Sequence, residues 1–249
     1  MERLLENKVC LVTGAAKGIG RTIAERYAKD GAFVYANDLK EGEMDEWAKE
    51  LSERENTTVV PLYFNICDFD AVVKAVMRIK KEQGRIDVLV NNAGIVTYEP
   101  LLLIDFDKLR KMFEVNVIAM IHLIQMVSKV MKRQKSGSII NMASIVGLKG
   151  AKGQLSYSAT KGAVISTTLS ASKELAEYNI RVNAVAPGMV ATERFKNEIE
   201  GRFEERLQSV GMGRFADPEE IADVYSFFAS DRSKYVTGQV LGVEGSFAI

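Results

Sequence analysis

Seven short apolar runs punctuate the chain, "KVCLVT" (8–13), "AFVYAND" (32–38), "TVVPLYF" (58–64), "IDVLVN" (86–91), "GSIINMAS" (137–144), "IRVNAVAP" (180–187) and "GQVLGVEG" (238–245), with a helical pattern between each pair. These runs are apolar almost throughout rather than at every second residue, which suits strands covered on both faces. Strands joined by helices return to the same edge of a sheet, so they pair in parallel. The first crossover displays the pattern: in "IGRTIAERYAKDG" the residues Ile19, Ile23, Ala24, Tyr27 and Ala28 share one helical face. The expectation is an α/β fold, a doubly wound parallel sheet of about seven strands with helices on both faces, hence a three-layer sandwich. Neither a repeat, a low-complexity stretch nor a linker interrupts the alternation over 249 residues, so 1–249 reads as a single domain. The charged segment 193–216, carrying Gly201, Gly211 and Gly213, reads as an excursion on one rim.

Lys plus Arg number 33 and Asp plus Glu number 33, so no charge excess argues for nucleic acid or an anionic membrane as partner. A small molecule fits better. Cys10 and Cys67 stand apart in apolar surroundings with no C-x-x-C pair, which marks them as inert core residues and points to a cytoplasmic location. "MERLLENKVC" has no apolar core of a signal peptide, and "VNVIAMIHLIQMVSKVM" is interrupted by Asn116, His122, Gln125, Ser128 and Lys129, which makes it a buried helix. His122 is the single histidine, so a Ser-His-Asp, Cys-His or multi-histidine metal mechanism would have to rely on it alone. It lies among Ile121, Leu123 and Ile124, where a structural role fits, and no metal site is expected.

Three motifs carry chemistry. "TGAAKGIG" follows the first strand, with Gly14, Gly18 and Gly20 spaced so that the last two open the first helix. Such a turn brings a pyrophosphate against backbone N–H groups at the positive end of a helix, although a bare turn would need the same glycines. Asp38 closes the second strand, where an acid accepts hydrogen bonds from adenosine ribose hydroxyls and repels a 2′-phosphate; NAD is therefore preferred. The alternative for Asp38 is a helix cap, and Lys17 in the glycine turn would favour NADP, which stays open. "SYSATKGAV" sets Tyr157 and Lys161 four positions apart on one helical face. Taken alone, that spacing describes a solvated helix face.

Taken together, "TGAAKGIG", "NNAG" (91–94), Asn116, Ser144, "YSATK" (157–161) and "PGMVAT" (187–192) resemble the short-chain dehydrogenase/reductase family over nearly the whole length. The stretches "ASIVGLKGAKGQLSYSATKGA", "IRVNAVAPGMV" and "YVTGQVLGVEGS" are most similar to bacterial 3-oxoacyl-[acyl-carrier-protein] reductases and to homologues acting on steroids, sugars and polyols. The resemblance implies a Rossmann-type fold and NAD(P)-dependent interconversion of a ketone and a secondary alcohol. The alternatives are an NAD-dependent hydroxysteroid or polyol dehydrogenase, and a catalytically idle NAD-sensing scaffold.

The resemblance also assigns roles. A reduced ketone becomes an alkoxide that needs a positioned acid, and a free phenol is too weak an acid at working pH. Tyr157 would be that acid, and Lys161 would lower its pKa and hold the nicotinamide ribose. Ser144 would donate to the substrate oxygen, and Asn116, in a local helix break, would support a water relay to Lys161. Cofactor contacts fall on Gly14, Lys17, Gly18, Ile19, Gly20, Asp38, Asn65, Ile66, Asn92, Ala93, Gly94, Pro187, Gly188, Val190 and Thr192. Asn65 and Ile66 would meet adenine, Val190 and Thr192 the carboxamide. Segment 193–212 would be a substrate lid, or else an amphipathic surface helix through Phe195, Ile199, Phe203 and Leu207. Helices over 105–134 and 154–178 would pair subunits into a homodimer or homotetramer. Lys135, with Lys132 and Arg133, occupies a position such reductases use to dock acyl-carrier protein, while Tyr178 stands where a second basic residue is expected.

Overall fold

The computed structural model describes residues 3–193, 195 and 207–247. In chain order it runs β1 (Val9–Thr13), α1 (Gly18–Lys29), β2 (Phe33–Asp38), α2 (Asp45–Glu55), β3 (Val59–Tyr63), α3 (Phe69–Gln83) and β4 (Val88–Asn91). There follow α4 (Phe106–Phe113), a π turn (Glu114–Ile118), α5 (Ala119–Gln134), β5 (Gly137–Met142), α6 (Ile145–Lys149), α7 (Leu155–Leu175), β6 (Ile180–Pro187), α8 (Pro218–Ala229) and β7 (Val240–Val243). The seven strands form one sheet in the order β3-β2-β1-β4-β5-β6-β7, and every pair is parallel. The expected fold class is therefore the observed one.

Each strand alternates its side chains between two apolar layers, because successive Cβ atoms point to opposite faces. Val12, Val90 and Ile140 join Ile23 and Tyr27 of α1 and Ile221, Tyr225 and Phe228 of α8 on one side. Leu11, Leu89 and Ile139 join Val76 of α3, Leu123 and Val127 of α5 and Val164 of α7 on the other. Truncating a fully buried member such as Ile139 to alanine would cost about 2–5 kcal/mol. Helix α8 starts sharply: Pro218 holds its first position and Asp217 with Glu220 forms a capping box.

The winding reverses between β1 and β4: one half of the chain builds outward through β2 and β3, the other through β5, β6 and β7. The helices that follow β1 and β4 then pack on opposite faces of the sheet, and the rim at this reversal is the usual place for a ligand in such a sheet. Gly14, Asn92 and Ser144 all follow strand ends on this rim.

Three local expectations are corrected. The run 137–144 is a strand only to Met142, and Ser144 instead caps α6. The helix does not break at Asn116 but widens by a π turn and continues from α4 into α5, a bulge of the kind that re-aims side chains at functional positions. Cys10 is buried as expected, whereas Cys67 is only half-buried, and burial pushes its thiol pKa up. The span Phe106–Gln134 is long and apolar enough to cross a membrane by length and composition; half of its most apolar window is buried in the fold, with Met120, Leu123 and Val127 in the core. His122 stacks on Phe69, ring centroids 3.9 Å apart.

Candidate active site

The turn after β1 is built so that backbone alone lines the crevice. Gly14 has φ +65°, and a Cβ there would meet Ala93 Cα at 2.9 Å, so the β1 and β4 loops touch through glycine. A Cβ on Gly20 would lie 2.0 Å from the Gly14 oxygen, which lets α1 start directly against the turn. Helix α1 begins with Lys17 at its cap, and no side chain caps the helix and no acid occupies its first turn. Its leading N–H groups are thus left for an anion at the positive helix end, which fits the pyrophosphate of a dinucleotide. Ile19 is half-buried against the core beneath this turn. Asn92 closes the turn by donating from Nδ2 to the Thr13 and Gly14 oxygens at 2.9 and 3.0 Å.

Asp38 ends β2 beside this turn. One carboxylate oxygen accepts from Ala16 N at 3.0 Å and the other from Leu39 N at 2.8 Å. The two bonds fix the carboxylate at the crevice edge and leave each oxygen further lone pairs for hydroxyl donors. Lys17 is exposed at the same turn.

The residues expected to react come from three elements. Tyr157 and Lys161 lie one turn apart on α7, with Lys161 Nζ 5.5 Å from the Tyr157 ring centroid. Lys161 is 4% exposed; its ammonium donates to the Met142 carbonyl oxygen at 2.6 Å, and burial pushes its pKa down to about 8. Ser144 caps α6, its oxygen accepting from Val146 N at 3.4 Å, a long bond easily exchanged for a substrate contact. Asn116 is buried in the π turn and pairs with the backbone of Ile95, accepting from its N and donating to its O, both at 2.8 Å. It also donates to Thr160 Oγ1 at 3.2 Å, and Thr160 in turn donates to the backbone carbonyl oxygen of Tyr157 at 2.8 Å. The side chain of Asn116 thereby ties the loop after β4 to α7.

The remaining expected residues divide. Ala93 and Gly94 follow β4 at the rim, and a Cβ on Gly94 would meet Asn116 Oδ1 at 3.1 Å. Pro187 ends β6, and Gly188 N donates to Val243 O at 2.9 Å. Val190 is 6% exposed and bridges to Ala216, and Thr192 uses its hydroxyl to accept from Phe195 N at 3.2 Å. Asn65 is exposed and accepts from Cys67 N at 3.0 Å, while Ile66 is buried and lines a cavity behind Lys161. Most of the expected lid, 194 and 196–206, lies outside the described residues; Val210 of its far end bridges to Phe247. Sequence reasoning missed Thr13, whose hydroxyl accepts from Asn92 N and Ala93 N at 3.1 and 3.2 Å, and it missed Thr160. Both sit inside motifs already singled out, but only tertiary contact reveals what they bind.

A glycine turn that fits a dinucleotide, with the expected serine, tyrosine and lysine on two helices packed together, is the arrangement of a nicotinamide-dependent oxidoreductase. The sequence profile of the short chain dehydrogenase family matches residues 8–202, and the chain belongs to that family. It is an NAD(P)-dependent oxidoreductase acting on the carbonyl or CH–OH group. Among its relatives is the 3-oxoacyl-[acyl-carrier-protein] reductase FabG of Thermotoga maritima, 43% identical over 98% of this chain and 99% of that protein. The crystal structure of a 3-oxoacyl-[acyl-carrier protein] reductase from Brucella melitensis superposes with a TM-score of 0.93 at 31% identity, covering 100% of this chain and 94% of the other. NAD+-bound xylitol dehydrogenase superposes with a TM-score of 0.91 at 30% identity, covering 96% of this chain and 98% of the other.

Proposed function

We propose that the protein reduces the 3-keto group of an acyl thioester with NADH, using Ser144, Tyr157 and Lys161 as its catalytic residues. The observation that carries the reading is the buried Lys161 ammonium one turn from the Tyr157 phenol, on a helix against which the Ser144 helix is packed. When bound, the nicotinamide supplies a hydride to the carbonyl carbon. The electron pair of the carbonyl then moves to oxygen, where Ser144 donates a hydrogen bond and Tyr157 transfers its phenolic proton, giving the alcohol. Lys161 stabilises the phenolate that remains, which is the reason the lysine must stay protonated during transfer. Asn116 holds α7 and the Ile95 loop in register for these steps.

The Asp38 carboxylate supports NAD over NADP, because a 2′-phosphate there would face a fixed negative charge. The roles of Asn65, Ile66, Val190 and Thr192 toward the cofactor belong to the same proposal. Similarity to 3-oxoacyl reductases supports the substrate class. Acyl-carrier protein as the thioester's bearer finds support in exposed Lys135 and Arg133. A second reading, an NAD-dependent polyol dehydrogenase, is favoured by one contact: exposed Lys132 donates to Tyr178 OH at 3.0 Å and lies 4.2 Å over its ring, which engages that cation within the chain instead of leaving it to a docking partner. Exposed Ile118 at the end of the π turn, Ile121 on α5 and Leu169 on α7 support assembly of a homodimer or homotetramer through these helices.

The test compares acetoacetyl thioesters on coenzyme A and on acyl-carrier protein, each with NADH and NADPH, against a polyol and a hydroxysteroid with NAD+. Fast turnover of a thioester with NADH supports the reading. Turnover confined to the polyol replaces it by the second.

A further inference from the structure

Behind Lys161 lies a cavity of about 10 Å³, room for the centre of one water, and Thr13, Asn91, Asn116, Met120, Leu123 and Lys161 are among the residues around it. Asn91 is buried at the end of β4, and its orientation is fixed by a chain of hydrogen bonds. Thr168 Oγ1 donates to Val164 O at 2.8 Å, so it can only accept from Asn141 Nδ2, at 2.9 Å. The Asn141 oxygen therefore faces Asn91 and accepts from its Nδ2 at 2.9 Å. That leaves Asn91 Oδ1 turned away, buried and accepting from no donor among the described residues. Such an atom costs free energy unless a donor reaches it.

The other polar groups of the cavity are nearly spent. Thr13 Oγ1 donates to Val90 O and accepts from two backbone N–H groups. Asn116 Nδ2 uses both protons, on Ile95 O and Thr160 Oγ1. Lys161 has three ammonium protons and gives one to Met142 O. Donors without acceptors and an acceptor without donors thus border one water-sized space.

We propose that Asn91 is a positioning residue for Lys161: its amide oxygen holds one ordered water, and the Lys161 ammonium donates to that water. The water accepts from Lys161 Nζ and gives one proton to Asn91 Oδ1 and the other to the second lone pair of Asn116 Oδ1, three bonds in all. It hydrates a cation that the surrounding apolar layer would otherwise push toward its neutral form. The β4, β5 and α5 residues facing this space bring no titratable group, and on α7 the neighbouring one is Tyr157. The inference rests on the reading of Lys161 as the cation that serves Tyr157.

The experiment is the pH profile of kcat for ketone reduction in Asn91→Leu and Asn91→Asp. Loss of the acceptor in Asn91→Leu moves the alkaline limb of the profile to lower pH and lowers kcat at neutral pH about tenfold. A carboxylate in Asn91→Asp moves the same limb to higher pH. Limbs that stay in place, whatever the loss in rate, would overturn the proposal, because a purely structural role lowers rates without opposite displacements. A high-resolution crystal structure of the unaltered protein provides a measurement that does not depend on the variants folding. An ordered oxygen within hydrogen-bond distance of both Asn91 Oδ1 and Lys161 Nζ supports the proposal, and its absence overturns it. Tyr157→Phe assayed alongside separates the two claims: an inactive Tyr157→Phe with unmoved limbs sinks the water and spares the catalytic reading.

Discussion

Gly147 packs against Lys161 so closely that a Cβ on Gly147 would lie 2.8 Å from the Lys161 carbonyl carbon and 2.8 Å from its Cβ. This contact sets the distance between α6, which Ser144 caps, and α7, which carries Tyr157 and Lys161. The atoms it would strike are backbone and stem and cannot swing away. Gly147→Ala should therefore displace Ser144 from the phenol and reduce kcat by about a hundredfold, as small misplacements of catalytic groups do. Overpacking should add about 1–3 kcal/mol of destabilisation. Steady-state kinetics with a cofactor-binding titration check it, with cofactor affinity expected to change little.

Lys161 predicts a trade of stability against activity. Its folded pKa of about 8 lies below the ordinary lysine value of 10.5, so the unfolded chain holds the proton more tightly. Burial of the charge then costs stability below about pH 8, roughly 3 kcal/mol by the size of the displacement, and the cost fades as pH rises toward 10.5. Lys161→Met removes that cost and loses one hydrogen bond to Met142 O, worth about 1 kcal/mol. The inactive variant should unfold at higher denaturant than the parent at pH 7, by about 2 kcal/mol, and the gap should close at about pH 10 and reverse above it, where only the lost hydrogen bond remains. A variant less stable at pH 7 would show that the ammonium is better compensated than its surroundings indicate.

Asp38 predicts cofactor choice. Asp38→Asn keeps an acceptor for Ala16 N and removes the charge. The ratio of kcat/KM for NADH over NADPH should fall about tenfold to a hundredfold, the worth of hydrogen bonds to a charged acceptor. An unchanged ratio would assign selectivity to Lys17 and its neighbours instead.

How much of this the sequence disclosed depends on the range of the interaction involved. The parallel pairing of seven strands follows from crossovers and apolar runs, and the glycine turn from its own spacing, so both were legible, whereas the order of the strands comes from the structure. Local context failed at element ends: Met142 and Ser144 share one apolar run, yet the hydroxyl at 144 caps a new helix, which only the packing of α6 on α7 decides. Asn116 reads as a breaker because asparagine competes for backbone bonds, but its partner is Thr160, 44 residues on, and that contact stabilises a π turn in a continuous helix. Lys161 stands in a run of small residues with no apolar stripe to announce its complete burial. Asn91 and Gly147 stand in stretches that the resemblance singles out, but they acquire their roles from Asn141 and Lys161 across the fold, which local sequence does not show.

The central claim is that Tyr157 supplies the proton while Lys161 and the glycine turn hold the cofactor. It is tested most directly by measuring NADH affinity and single-turnover ketone reduction in Tyr157→Phe. The expected result is affinity within about threefold of the parent and a rate at least about a thousandfold lower, within the range general acid catalysis contributes. Retention of a tenth or more of the rate, with the cofactor bound, would contradict the account.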